Sequence, residues 1–149
     1  MADYRKVLVL LDLSEGSERV FGAARDMAAR SNASLVALHV VDYAPVEPMG
    51  EVLMPSMAIE QELVDRSRAK IAQLIAHSGA ANVSTRVEMG NTKAEILRVA
   101  EEERADLIVL GSRERHGLAI LVNFTEDTVL HAAHCDVLAV RLSQRTPMP

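Results

Sequence analysis

Leu107-Ile-Val-Leu-Gly-Ser-Arg-Glu-Arg-His-Gly117 decides how this chain is read. Four apolar residues run straight into Gly111, and Gly117 follows soon after. A short apolar run closed by a glycine has the form of a buried strand with a turn at its carboxyl end. A glycine there has no Cβ, so backbone N–H groups face a ligand at close range. The spacing predicts a strand over residues 106–110 and a turn starting at Gly111.

The neighbouring segments repeat the strand–helix alternation. Lys6-Val-Leu-Val-Leu-Leu11 is an unbroken apolar run of strand length and reads as a central strand. Asp12-Leu-Ser14 ends it, with Ser14 as the expected helix N-cap and Glu15 and Glu18 near the positive helix end. Val20, Ala24, Met27 and Ala28 then share one helical face, and Ser31-Asn32 closes the helix. Ser34-Leu-Val-Ala-Leu-His-Val-Val41 is the second strand. The stretch 42–57 holds Pro45, Pro48, Pro55, Gly50, Met49, Met54 and Met57, so it reads as a long adaptable loop. It serves either as a cover over apolar surface or as a partner-binding segment.

The spacing predicts a second helix over 59–78, stopped by Gly79. Val83-Ser-Thr-Arg-Val-Glu-Met89 alternates like a half-exposed edge strand. Gly90-Asn-Thr92 is a turn, and Thr92 with Glu95 matches a capping box for the third helix. Glu101-Glu-Glu103 reads as a solvated helix end. Thr125 is the expected cap of a fourth helix through Val129, Leu130 and Ala133. Val137-Leu-Ala-Val-Arg-Leu142 is the fifth strand, and residues 143–149 form a polar tail expected to fray.

Five strands alternating with four helices imply an α/β domain with an open parallel sheet and helices on both faces. The simplest strand order is 3-2-1-4-5. It brings Asp12 and Gly111 to neighbouring strand tips at a topological switch point, where such sheets bind ligands. One domain spans residues 1–149, with no internal repeat. Hydrophobic residues at 49% supply a core, and aromatics at 3% leave it to aliphatic side chains, as suits a sheet covered on both faces. The net charge of −5 and the scarcity of aromatics argue against nucleic acid. No apolar run is long enough to span a membrane, and no signal-peptide pattern opens the chain. A cytoplasmic protein is therefore expected. The lone Cys135 excludes an internal disulfide framework.

Taken in order, these segments resemble the universal stress protein family. The resemblance rests on Lys6-Val-Leu-Val-Leu-Leu-Asp12-Leu-Ser14, Leu38-His-Val-Val41 and Gly90-Asn-Thr-Lys-Ala-Glu-Ile-Leu97. It continues in Ala105-Asp-Leu-Ile-Val-Leu-Gly-Ser-Arg113 and His134-Cys-Asp-Val-Leu-Ala-Val140. No single piece is diagnostic, but their order and spacing cover nearly the whole chain. The resemblance implies a small α/β domain, usually homodimeric, made under starvation or other stress. It implies no enzymatic activity, and some members bind ATP with Mg while others do not. Binders carry a glycine, two residues, a second glycine, nine residues, then a glycine followed by Ser or Thr.

Here Gly111 matches the first glycine, but Glu114 stands at the second. Asn123-Phe124-Thr125 falls at the third, one residue short and without glycine. At an effective dielectric of ~20, two like charges about 4 Å apart cost about 4 kcal/mol, close to three decades of affinity. Gly117 is the candidate to replace the missing glycine, and Arg113 and Arg115 are candidates to offset the charge. Asn123 tolerates left-handed backbone better than most residues. The resemblance thus implies a degenerate nucleotide site at Asp12, Val41, Gly111, Arg113, Gly117, Asn123 and Thr125. Asp12 would face adenine or ribose, and Val41 would offer backbone to the base.

Simpler readings stand beside these. Asp12 also suits a turn that stabilises the first helix, and Gly90 a tight turn rather than the mouth of a site. His131, His134 and Cys135 match no common zinc spacing, so an inert Cys135 is expected and no metal is assigned. His116 lacks a partner that would make it a general base, so no catalytic residue is assigned. Two function classes remain open. One is a homodimeric signalling or protective module that pairs through Val137–Leu142 and acts on a protein partner. The other is an ATP-binding switch with slow hydrolysis. A phosphoacceptor receiver fits poorly, because strand 3 ends in Glu88-Met89-Gly90 without the needed aspartate. A dinucleotide oxidoreductase also fits poorly, since Asp-Leu-Ser-Glu-Gly rather than the glycine fingerprint follows strand 1.

Overall fold

The structure, a computed structural model, describes residues 3–42, 56–113 and 125–142. Its elements are β1 (Lys6–Leu10), α1 (Ser17–Ser31), β2 (Ser34–Val41), α2 (Ser56–Ser78), β3 (Val83–Met89), α3 (Thr92–Glu102), β4 (Leu107–Arg113), α4 (Thr125–Ala132) and β5 (Asp136–Leu142). All strand pairs are parallel, in the order β3-β2-β1-β4-β5. The chain winds outward from β1 to β3 and then returns past β1 to β4. That reversal places the switch point between β1 and β4.

Strand alternation divides the core in two. Val7, Val9 and Leu11 point to one face with Val20, Phe21 and Ala24 of α1 and Ile71 of α2. Leu8 points to the other with Ile96 and Val99 of α3 and Val129 of α4. The three central strands are therefore buried on both faces, which is why they read as unbroken apolar runs. Phe21 is 1% exposed, and burying such a side chain contributes about 1.5–3 kcal/mol.

Several local expectations need correction. Gly16, not Ser14, is the N-cap of α1, and it makes no side-chain cap bond. The Ser14 carbonyl instead accepts the Ser17 N–H at 3.1 Å. Asn91, not Thr92, caps α3, and its side-chain oxygen accepts the Ala94 N–H at 3.0 Å. The capping signal lay one residue earlier than the Thr–Glu pattern suggested. Helix α2 begins at Ser56 rather than at residue 59. Strand β4 does not stop at Leu110, because pairing with β5 carries it through Gly111 to Arg113. Helix α4 starts at Thr125. Asn32 ends α1 in the left-handed region (φ 55°), and Gly79 follows α2 at φ +71°, as the stop signals require.

The end of α3 is not merely solvated. Arg86 of β3 reaches Glu88 at 2.6 Å, Glu102 at 2.9 Å and Glu103 at 3.3 Å. Arg98 binds Glu102 at 2.6 Å, Glu88 at 3.2 Å and also Glu95. Lys6 joins Glu103 at 3.5 Å. Only Glu101 of the acidic triplet lies outside this network of ion pairs.

Candidate functional site

The site is made by a strand that ends before its neighbours do. Pairing of β1 with β4 ends at Val9↔Val109, and pairing with β2 ends at Leu10↔Leu38. Strand β2 runs on to Val41 beside β3, and β4 runs on to Arg113 beside β5. A notch therefore opens at the carboxyl edge of the sheet, with the tip of β1 as its floor. Asp12 lies just beyond that tip, as the strand order predicted.

Asp12 is firmly held. Its Oδ1 accepts the Ser14 N–H at 3.0 Å, the Ser14 hydroxyl at 2.6 Å and the Ser17 hydroxyl at 3.1 Å. Ser17 is only 3% exposed, so its hydroxyl depends on this acceptor. The intervening Leu13 sits at φ 61°, a left-handed conformation unusual for leucine. The bonds to Asp12 favour a sharp turn here. Whatever else it does, Asp12 organises the β1–α1 turn.

Val41 and Gly90 act together. The Val41 carbonyl accepts the Gly90 N–H at 3.0 Å, and the Val41 side chain belongs to the core under α1 and α2. Gly90 has φ +144°, and a Cβ there would lie 3.3 Å from Glu95 Cγ and Oε1. Glycine is needed for this turn, which also ties the β2 tip to β3.

Gly111 was expected in a turn but lies within β4, opposite Val140. A Cβ at Gly111 would stand 2.6 Å from Leu142 Cδ1 and 3.1 Å from Val20 Cγ2. Its smallness lets β5 and α1 close on β4, a packing reason that the sequence did not reveal. Arg113 is the last residue of β4, in register with Leu142. Thr125 opens α4. Gly117 and Asn123, with Glu114 and His116, lie outside the described residues. The structure thus brings Asp12, Val41 and the Gly111–Arg113 end of β4 to one edge of the sheet.

His39 was missed. Its Nδ1 lies 2.6 Å from the Leu11 carbonyl, directly below Asp12 in sequence. A lone polar residue inside Leu-Val-Ala-Leu-His-Val-Val was the available signal. A separate cleft of about 270 Å³ lies between the β1–α1 turn and α2, lined by Ser14, Glu18, Lys70 and His77 among others. None of its lining residues comes from β4.

His131 is on α4, and Cys135 immediately precedes β5. Burial pushes the Cys135 thiol up, with the charges of Asp136 and Asp106 adding to it, so thiolate is disfavoured. No group of three His, Cys, Asp or Glu side chains able to hold a metal occurs among the described residues. No helix among them is long and apolar enough to cross a membrane.

A parallel sheet of this order, with helices on both faces, defines a doubly wound α/β domain. The sequence profile of the universal stress protein family matches residues 3–141. Universal stress protein A homolog 1 of Coxiella burnetii is 32% identical over 95% of this chain and 99% of its own length. Homolog 2 of the same organism is 31% identical over 95% of this chain and 98% of its own. The universal stress protein UspA from Lactobacillus plantarum superposes with a TM-score of 0.72 at 30% identity, covering 95% of this chain and 100% of that one. A universal stress protein in complex with cAMP shares the fold at a TM-score of 0.66 and 22% identity, covering 93% of this chain and 98% of that one. The chain belongs to the universal stress protein family.

Proposed function

We propose that this chain is a homodimeric stress-response module of the cytoplasm, without catalytic activity of its own. In this reading its notch seats an adenine nucleotide, and occupancy changes how the dimer acts on a protein partner. The observation that carries the reading is the early end of β1 between two longer neighbours. It leaves strand-tip backbone and the turn held by Asp12 facing one hollow, the arrangement in which open parallel sheets bind ligands. That a universal stress protein of the same fold is found in complex with cAMP supports a nucleotide as the class of ligand. The second reading is a module that works through its surfaces alone. Glu114 and the glycine-free Asn123-Phe124-Thr125 favour it, because a polyphosphate would meet a carboxylate and lack its close backbone approach. Calorimetry with Mg-ATP separates the two. Saturable heat at or below millimolar nucleotide supports the first, and no heat at millimolar concentration supports the second. Dimerisation is checked by sedimentation, with a dimer expected at micromolar protein.

A further inference from the structure

We infer that His39 is a positioning residue that takes the Leu11 carbonyl away from the β1–β2 ladder, ends that ladder at Leu11 and so shapes the β2 side of the notch. The Leu11 N–H donates to the Leu38 carbonyl at 2.8 Å, in step with the β1–β2 register. In a continued parallel ladder the next bond would run from the Val40 N–H to the Leu11 carbonyl. No such bond is made among the described residues. The Leu11 carbonyl instead meets His39 Nδ1 at 2.6 Å. A carbonyl only accepts, so Nδ1 carries the proton, and in the neutral ring Nε2 is left as an acceptor.

By alternation His39 shares the face of Leu35, Ala37 and Val41, which pack under α1 and α2. Side chains stand roughly perpendicular to a sheet. The ring therefore draws the Leu11 carbonyl out of the plane in which the ladder bond would lie. Released from the backbone ladder beyond Leu11, the chain turns at Leu13 and gathers Ser14 and Ser17 around Asp12. The Val40 N–H is left without that backbone acceptor at the opening. Only the last step, that a ligand profits from the open notch, rests on the nucleotide reading above.

The test uses the full 15N-labelled chain and three variants. His39→Leu removes the donor. His39→Asn keeps a donor on Cγ, where Nδ1 now sits, and His39→Gln moves it one bond further out. With the ring gone the ladder closes, so amide exchange at Val40 slows about tenfold in His39→Leu and His39→Gln, the worth of one hydrogen bond. His39→Asn keeps the wild-type rate. Mg-ATP affinity falls about threefold or more in the first two and is retained in the third. Val40 exchange that is unchanged or faster in His39→Leu and His39→Gln overturns the inference, even if both variants melt earlier, because the ring would then only fill space. Should the wild type bind no Mg-ATP, the nucleotide reading fails while Val40 exchange still decides the role of His39.

Discussion

The two edges of the sheet are built on opposite plans. At the β3 edge, Arg86 and Glu88 project from the strand into a network with Arg98, Glu95, Glu102 and Glu103. At the β5 edge, Val137, Leu138, Ala139 and Val140 run together, and the charges stand at the ends as Asp136 and Arg141. Asp136 is engaged by the Tyr4 hydroxyl at 2.8 Å, a bond to a carboxylate that also raises the Tyr4 pKa. Charge on an edge strand discourages pairing with another chain, and a short apolar edge invites it. The contrast separates a guarded, charged edge from an apolar one, and in the homodimer proposed above the second copy of the chain pairs at the apolar edge.

The largest expected effect lies at the available edge. Ala139→Lys places like charges near the two-fold axis of a β5–β5 pair. At an effective dielectric of ~20 and a separation of about 4 Å the repulsion is about 4 kcal/mol. Sedimentation equilibrium should show dimer affinity falling by about three decades with the fold intact by circular dichroism. A variant as dimeric as the wild type would remove β5 from the interface.

Next comes the joint that mounts β5 on the sheet. Gly111→Val drives a side chain into Leu142 and Val20, and overpacking of this kind costs about 1–3 kcal/mol. Denaturant unfolding reads that cost directly, and the same variant should dimerise less well because β5 is displaced. The guarded edge should respond more mildly. Arg86→Thr removes three ion pairs from a partly exposed cluster, for which about 1 kcal/mol is a fair expectation. Its sharper signature is new self-association through β3, visible as light scattering that wild-type protein lacks.

The smallest effect is acid weakening of the same network. Hydrogen bonds from Arg86 and then Arg98 hold the Glu102 carboxyl below its ordinary value of 4.5. Its contribution is complete above that value and is lost as pH falls through the lowered one. The melting temperature should therefore decline below about pH 4.5, and high salt should shrink the decline because the cluster faces solvent. Arg86→Thr should flatten it.

The sheet and its order were legible because strand runs such as Lys6–Leu10 are buried on both faces and carry no alternation to confuse them. The edge position of β3 was legible for the opposite reason, since Val83 to Met89 alternate. The notch was legible only as a location. On its β2 side the end of the ladder depends, in our inference, on a side chain, His39, competing for a main-chain carbonyl 28 residues away, which no local pattern encodes. Gly111 was recognised for close ligand approach, and its packing role was not legible. Its need for space comes from Leu142 and Val20, which are brought near only by folding. The caps slipped by one or two residues because Ser, Thr and Asn all suit the position, and the turn geometry of Asp12 and Asn91 made the choice.

The edges bear on the proposed pairing, and the middle of the sheet bears on the proposed nucleotide site. The direct test is titration of 15N-labelled protein with Mg-ATP, followed amide by amide. We expect saturable shifts concentrated at Leu11 to Leu13, Val40 to Asp42 and Gly111 to Arg113, the rim of the notch. Shifts centred instead on Lys70 and His77 beside α2, or none at millimolar nucleotide, would contradict the account.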